Sequence, residues 1–322
     1  MTEKRKIDIA ACPDKDFIMP TGVMIYSVCY NHPDLDIDFH ILTDESVTLE
    51  DKQKLKETIS DFQGKKILFY NVNSSLYKRF PINRKANLTI SSYYRLLFTE
   101  YLPQSVERVL YLDGDCVVRQ SLLPLWEIDL SGYAVAAVSD IFAGDTNVYK
   151  RLRYSPEIGY FNAGVLLINL DYWRKNNVID DFMDYLKTYP ERIVLEDQDV
   201  LNVIFQKNRK PLPVRYNFQV SFLRKGSSEE YNEKDKEIIE TQKDPVIVHF
   251  AGIYKPWDKC MRHPTPFNST FSKYQNQTIW KGFRQERRRF RLRAKNLIAD
   301  ILRQLKLLPP MKKEFIDVPP ID

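Results

Sequence analysis

Short apolar runs separated by helical repeats recur along most of this chain, and that rhythm restricts its fold more than any other feature. Ile7-Asp-Ile-Ala-Ala11 and residues 38–43 (DFHILT), 66–70 (KILFY) and 108–112 (RVLYL) read as strands. Residues 49–62 place Leu55, Ile59 and Phe62 at helical spacing behind Thr48, which predicts a helix capped by that threonine. Residues 133–138, 164–170 and 246–250 continue the series. Strands alternating with helices assemble βαβ units, so an α/β fold is expected, with a largely parallel sheet covered on both faces. Ligands of such sheets bind at the carboxyl ends of the strands. The rhythm stops near Pro264, which predicts a body over residues 1–263 and an arm over 264–322.

With 322 residues, 43% hydrophobic and 28% charged, the chain can bury a substantial core as one large domain with an appendage. No window approaches eighteen uninterrupted apolar residues, and Met1-Thr-Glu-Lys-Arg-Lys6 leads into Ile7 without the apolar stretch of a signal peptide. A cytosolic protein is expected. Cys12, Cys29, Cys116 and Cys260 have neither metal-site spacing nor the density of a disulfide framework, and read as small core residues. The net charge of +5 is unevenly spread: residues 273–313 hold thirteen Lys/Arg against two acids, so the rest is mildly acidic. Trp280, Phe283, Phe290, Ala294, Leu297, Ile301, Leu305 and Leu308 mark one helical face there, with Arg284, Arg288, Arg291 and Lys295 turned largely away. Such a basic amphipathic helix over residues 280–308 either lies in an anionic membrane surface or packs on the body with a solvated basic face. No nucleic-acid reader module accompanies it.

One strand end carries chemistry. In Tyr111-Leu-Asp-Gly-Asp-Cys-Val-Val118 two carboxylates stand at i and i+2 directly behind an apolar run. They point to the same side, and keeping both ionised costs repulsion unless a cation sits between them. A divalent ion bridging Asp113, Asp115 and phosphate oxygens removes that cost; a solvated turn is the other reading. Gly114 would let a ligand approach the backbone closely. His249 closes an apolar strand and enters Ala251-Gly-Ile-Tyr-Lys-Pro-Trp257, where it is either a satisfied core histidine or a metal ligand beside Gly252 and a phosphate-binding Lys255. One imidazole with two carboxylates favours Mn2+ over Mg2+ or Ca2+.

Four motifs in order then become recognisable: Asp113-Gly-Asp115, residues 160–174 (YFNAGVLLINLDYWR), Glu196-Asp-Gln-Asp-Val-Leu201 and residues 249–257 (HFAGIYKPW). Together they resemble glycosyltransferase family 8, especially bacterial lipopolysaccharide galactosyl- and glucosyltransferases, over roughly residues 7 to 260. The resemblance implies a GT-A (Rossmann-like) fold, a UDP-sugar donor, Mn2+ (with Mg2+ as a substitute) and retention of anomeric configuration. It makes Asp113, Asp115 and His249 the metal ligands and sets Gly252 and Lys255 against the diphosphate. Asn162 and Ala163 become donor-sugar contacts, Asp140 and Asp197 acids that hold sugar hydroxyls, and Arg95 a neighbour of sugar and diphosphate. Gln198 falls beside the anomeric carbon. Where the family commonly has Ala-x-Asp-Asp-Asn-Tyr around the nucleoside, this chain has Ala11-Cys-Pro-Asp-Lys-Asp-Phe17. Cys12, Asp14 and Phe17 keep that place, whereas Lys15 and Asp16 depart from the pattern.

Other readings stand beside these. Asp197 and Asp199 also suit the cap of the helix that follows, and one capping acid with one ligand acid is the expected division. Asp140 also suits an ordinary turn. The function expected is hexosyl transfer, of galactose or glucose, from UDP to a hydroxyl of a glycan or lipid-linked glycan such as lipopolysaccharide, at the inner face of the cytoplasmic membrane. Retention has two routes, a carboxylate nucleophile or attack by the acceptor from the face that UDP leaves, and Gln198 as a poor nucleophile favours the second. Rival classes are a nucleotide-sugar pyrophosphorylase, which usually carries a Gly-rich phosphate loop where this chain has Cys12-Pro-Asp14, and a non-catalytic glycan- or membrane-binding protein.

Overall fold

The computed structural model describes residues 5–73, 90–223, 233–252, 255–259 and 267–285. Its first elements are β1 (Lys6–Ala11), α1 (Ile18–Asn31), β2 (Asp36–Thr43), α2 (Leu49–Thr58) and β3 (Lys65–Asn71). Then come α3 (Phe98–Tyr101), β4 (Arg108–Leu112), β5 (Cys116–Val118), α4 (Leu123–Trp126), β6 (Val135–Ser139), α5 (Thr146–Leu152) and β7 (Phe161–Asn169). The chain continues through α6 (Leu170–Lys175), α7 (Val178–Thr188), α8 (Glu196–Ile204), β8 (Arg209–Pro211), β9 (Phe218–Gln219), α9 (Glu233–Thr241), β10 (Ile247–His249) and α10 (Asn268–Gln275).

Seven strands form the main sheet in the order β3-β2-β1-β4-β7-β6-β8. Its pairs are parallel except those on either side of β7, which runs against the rest. Successive residues of a strand face opposite ways, and here both ways are buried. Ile7, Ile9, Phe39, Leu110 and Val165 pack beneath α1, while Tyr111, Val135, Leu166 and Ile168 pack with Trp173, Phe182 and Phe205 from the helices of the other layer. The last three rings meet at centroid distances of 5.2–5.5 Å. Burial on both sides is why these strands read as apolar runs, and each large side chain so buried contributes on the order of 1.5–3 kcal/mol.

Expected and observed elements differ mainly at their ends. Thr48 caps α2 as expected, in a reciprocal capping box with Asp51, but α2 ends at Thr58 and residues 59–62 continue as turns that still pack Ile59 and Phe62 on the core. β7 begins at Phe161, three residues before the expected start, because an irregularity between Ala137 and Ser139 of β6 lets Ser139 pair with Phe161. Asn162, Ala163 and Gly164 are therefore strand residues.

The second sheet, β5-β10-β9, positions the site. The chain leaves β4 in the main sheet, turns through Asp113-Gly114-Asp115 and enters β5. There β5 runs antiparallel to β10 and sets Cys116 opposite His249. On the other side β10 lies parallel to β9, with His249 opposite Gln219.

The helical face expected from Trp280 onward does not begin there. Residues 276–282 are turns and bends, and Gln285 forms an isolated bridge with Asp258. Gly282 at φ +70° breaks helical continuity, and Gln275 donates its side-chain amide to the carbonyls of Trp280 (3.1 Å) and Phe283 (2.7 Å). Trp280 instead packs on the core at Gly22 of α1. The remaining expected positions, Phe290, Ala294, Leu297, Ile301, Leu305 and Leu308, lie outside the described residues, as does Cys260. Among the described residues no helix is long and apolar enough to cross a membrane.

Candidate active site

Pairing across the second sheet brings the two aspartates to the histidine. His249 Nε2 lies 3.3 Å from Asp115 Oδ1 and 3.7 Å from Asp113 Oδ2. His249 and Asp113 both approach Gly164, where a Cβ would press into the His249 ring and stand 2.7 Å from Asp113 Oδ2. Gly164 thus keeps the cradle open. The glycine between the aspartates has a different part: a Cβ on Gly114 would meet Thr21 and Phe17, so its bareness makes room for α1.

Asp113 is partly exposed and accepts hydrogen bonds from Tyr111 Oη (2.5 Å) and Arg95 Nη2 (3.0 Å). Asp115 is buried and pairs through its other oxygen with Lys255, which also donates to the Phe250 carbonyl at 2.7 Å. Burial alone would raise the Asp115 pKa; Lys255 and His249 outweigh it and hold the carboxyl well below the usual range. Lys255 was expected at the diphosphate, and here its charge is committed to Asp115. Its Nζ also lies 5.9 Å from the Phe17 ring centroid and 6.0 Å from that of Trp257.

Cys116 Sγ, Asp115 and His249 also form a compact trio of ligand atoms. Burial drives the Cys116 pKa well above the ordinary thiol value, with both aspartates adding to the shift, and its Sγ faces the Gly164 carbonyl at 3.8 Å. A thiol kept protonated is a poor ligand. Two carboxylates and an imidazole nitrogen are a donor set that suits a divalent cation of the Mn2+ type, and Asp113, Asp115 and His249 offer that set here.

Arg95 joins this end of the site to the next. Besides Asp113 it donates to the carbonyls of Ala163 (2.6 Å) and Ser92 (3.0 Å), and its guanidinium stacks 4.1 Å above the Tyr111 ring. Its Nε is 3.0 Å from Asp197 Oδ2. That contact is not aligned as a hydrogen bond, because Nε–H is aimed at Ser92. Burial is therefore only partly offset by Arg95, and it pushes Asp197 up to about 7.

Asp140 and Gln198 stand next to Asn162 and Ala163. Gln198 Oε1 accepts from the Ala163 N–H at 2.9 Å, while its Nε2 faces Asp140 Oδ2 at 3.4 Å. Asp140 also takes N–H bonds from Phe142 (2.8 Å) and the Asn162 amide (2.8 Å), and burial raises its pKa against these donors. Asp199 works differently. It is fully buried and bonded by Arg151, Tyr160 and the backbone N–H groups of Val194 and Leu195, tying α8 to the residues just before it, although the N-cap position itself is Leu195 and carries no side-chain cap. Neither acid takes the N-cap position expected of one of them, which is Leu195; Asp199 is consumed by structural partners and Asp197 lies against Arg95. Glu196, just before, has φ +47°, an unusual backbone for a non-glycine residue.

At the nucleoside end Asp14 accepts the N–H groups of Asp16 (2.9 Å) and Phe17 (3.0 Å), capping a short turn, and the Phe17 ring stands edge-on to Trp257. Cys12 is half-buried and burial raises its thiol pKa, with Arg95, Asp113 and Asp197 nearby. Gly252 has φ +88° and open space beyond its Cα, so glycine is required there by conformation. Gly164, with Asn162 and Ala163, was expected at the entrance to the site; sequence reasoning did not anticipate Asn217 or Tyr111 there. Tyr111 lay beside the aspartate motif; Asn217 lay in Tyr216-Asn-Phe218, with nothing local to mark it.

Comparison with known proteins gives the family. The family model "Glycosyl transferase family 8" matches residues 8–260. General stress protein A of Bacillus subtilis is 28% identical over 284 residues, covering 87% of this chain and 96% of that protein. Lipopolysaccharide 1,3-galactosyltransferase of Salmonella typhimurium is 31% identical over 267 residues, 80% of this chain and 75% of that protein. The crystal structure of the galactosyltransferase LgtC in complex with donor and acceptor sugar analogs superposes with a TM-score of 0.75 at 28% identity, covering 85% of this chain and 96% of that one. The mixed, mainly parallel sheet flanked by helices is thus a GT-A fold, and the chain belongs to glycosyl transferase family 8.

Proposed function

We propose that this protein is a retaining hexosyltransferase that moves galactose or glucose from a UDP-sugar to a hydroxyl of a glycan acceptor, of the lipopolysaccharide or lipid-linked class. The observation that carries the reading is the convergence of Asp113 and Asp115 on His249, beside Arg95, Asp140, Asp197 and Gln198 at the carboxyl ends of β4 and β6. Similar proteins include both a lipopolysaccharide 1,3-galactosyltransferase and a lipopolysaccharide 1,2-glucosyltransferase, which supports a hexose donor of either kind.

In this reading Asp113, Asp115 and His249 hold Mn2+, which supplies positive charge to the departing diphosphate. Gly252 leaves room for the diphosphate, and Lys255, paired with Asp115, would add its positive charge beside it. Cys12, Asp14 and Phe17 border the nucleoside. Arg95, Asn162, Ala163, Asp140 and Asp197 hold the sugar, and Gln198 lies beside its anomeric carbon. The Gln198 oxygen already accepts the Ala163 N–H, which lowers its nucleophilicity and supports attack by the acceptor on the face that UDP leaves. A sugar trapped covalently on Asp197 or Asp140 would overturn that route. A binding protein would have no use for a buried Asp115–Lys255–His249 cluster. Residues 280–308 are proposed to hold the enzyme peripherally at the inner face of the cytoplasmic membrane.

The test is release of UDP from a panel of UDP-sugars without acceptor, with Mn2+ and with EDTA. Slow, metal-dependent hydrolysis of one sugar identifies donor, metal and reaction class together. Asp115→Ala is expected to abolish turnover with the fold kept; unchanged activity in that variant removes the metal assignment.

A further inference from the structure

We infer that Asn217 is a positioning residue: it fixes His249 as the tautomer protonated on Nδ1, turning the Nε2 lone pair toward Asp113 and Asp115, through an amide relay that ends on Asp140. The consequence for metal affinity rests on the function proposed above; the tautomer does not.

The relay is short and buried. His249 Nδ1 lies 2.9 Å from Asn217 Oδ1, Asn217 Nδ2 lies 2.9 Å from Asn162 Oδ1, and Asn162 Nδ2 lies 2.8 Å from Asp140 Oδ2. His249 is 3% exposed, Asn217 0% and Asn162 7%, so an unpaired polar atom here would find no water to replace its partner.

Its direction follows from one fixed donor. The Gly164 N–H reaches the same Asn162 atom at 2.9 Å, and a backbone N–H can only donate, so that atom is the Asn162 oxygen. Asn217 must then present its NH2 group to the same oxygen, which turns the Asn217 carbonyl to the imidazole. An amide oxygen only accepts, so Nδ1 carries the proton and, in the neutral ring, Nε2 carries the lone pair. At the far end the Asn162 NH2 group faces the Asp140 carboxylate, the same polarity reached independently.

The placement is built into the second sheet. Asn217 directly precedes β9, whose parallel pairing with β10 sets Gln219 opposite His249. The relay also ties the residue at the end of β10 to Asp140 at the end of β6. Metal-side and sugar-side groups are thereby held in one hydrogen-bonded unit.

The experiment uses the full chain without donor sugar. Long-range 1H–15N spectra of the metal-free protein, recorded where the ring is neutral, are expected to show His249 protonated on Nδ1. Neutral His249 protonated on Nε2 overturns the proposal. Asn217→Leu fills the space and removes both hydrogen bonds; its Mn2+ dissociation constant, read from the EPR signal of the free ion, is expected to rise about 10–100-fold, with loss of the single tautomer. Asn217→Asp keeps an acceptor for Nδ1 and is expected to preserve the tautomer. A folded Asn217→Leu with the wild-type tautomer and affinity sinks the inference. Should that variant not fold, the wild-type spectrum decides alone. A wild-type protein that binds no Mn2+ yet shows the Nδ1 proton supports the relay and removes the metal assignment.

Discussion

Asp197 and Asp199 sit two residues apart and differ in how completely they are paired. Asp199 receives an aligned arginine, a tyrosine and two backbone donors; Asp197 receives an arginine whose nearest N–H is aimed elsewhere. Burial consequently lifts Asp197 from 3.8 to about 7, with Asp113 and Glu196 adding to the shift. Because the folded pKa exceeds the unfolded one, the native state binds more protons between about pH 4 and 7, and stability falls as pH rises through that window. Burial likewise lifts Glu196 to about 7, so it adds a slope of the same sign. Asp197→Asn is expected to remove about 1 kcal/mol per pH unit of that slope, read from urea unfolding between pH 4.5 and 7. A slope equal to wild type means that Asp197 is ionised throughout. Residues of this kind were legible as types but not as roles: Asp113, Asp115 and His249 carry motif spacing, whereas a fully bonded structural acid and a site-facing one look alike in Glu196-Asp-Gln-Asp199. Asn217 was illegible because its meaning lies in partners 55 and 32 residues away.

Element type was readable and element ends were not. Strands buried on both faces appear as apolar runs, so β1, β2, β4 and β7 stood out, yet the start of β7 depends on an irregular register in β6 that no local pattern announces. The chain after α10 shows the opposite failure. Trp280 and Phe283 fit a helical stripe, but tertiary packing of Trp280 on Gly22 and bridging of Gln285 to Asp258 override it. Trp257 Nε1 donates to Gln285 Oε1 at 3.0 Å, and Arg284 donates to the Pro256 carbonyl, so this segment is fastened beside the loop that carries Lys255. Gly22→Ala gains up to about 1 kcal/mol in helix propensity but forces a Cβ into the Trp280 ring, an overpacking that typically costs about 1–3 kcal/mol. The expected result is undocking of the segment, seen as a red-shifted tryptophan emission and faster tryptic cleavage after Lys281 and Arg284. Unchanged emission and cleavage would mean that the ring finds another seat on α1.

Over the whole molecule the charge is divided in a way that no fold requires. Residues 286–322 hold ten Lys/Arg and five acids, which leaves residues 1–285 with no net charge. All ten cations lie by Lys313, where only Glu286 and Asp300 oppose them. Near an anionic membrane surface each basic residue contributes about 1 kcal/mol, so even a partial set reaches the roughly 8 kcal/mol of micromolar binding. Residues 1–285 add no net attraction, so affinity should follow the basic segment after them. Replacing Arg287, Arg288, Arg289, Arg291 and Arg293 together by Gln is expected to abolish co-sedimentation of the full chain with vesicles containing phosphatidylserine. Donor hydrolysis should stay at the wild-type rate, since the residues assigned to the site do not include any of the five. Salt discriminates further: raising ionic strength from 0.1 to 1 M shortens the screening length from about 10 to about 3 Å and should release the wild-type protein. Equal binding to neutral vesicles, or retention at 1 M salt, would instead assign the contact to apolar burial and remove the electrostatic reading of the arm.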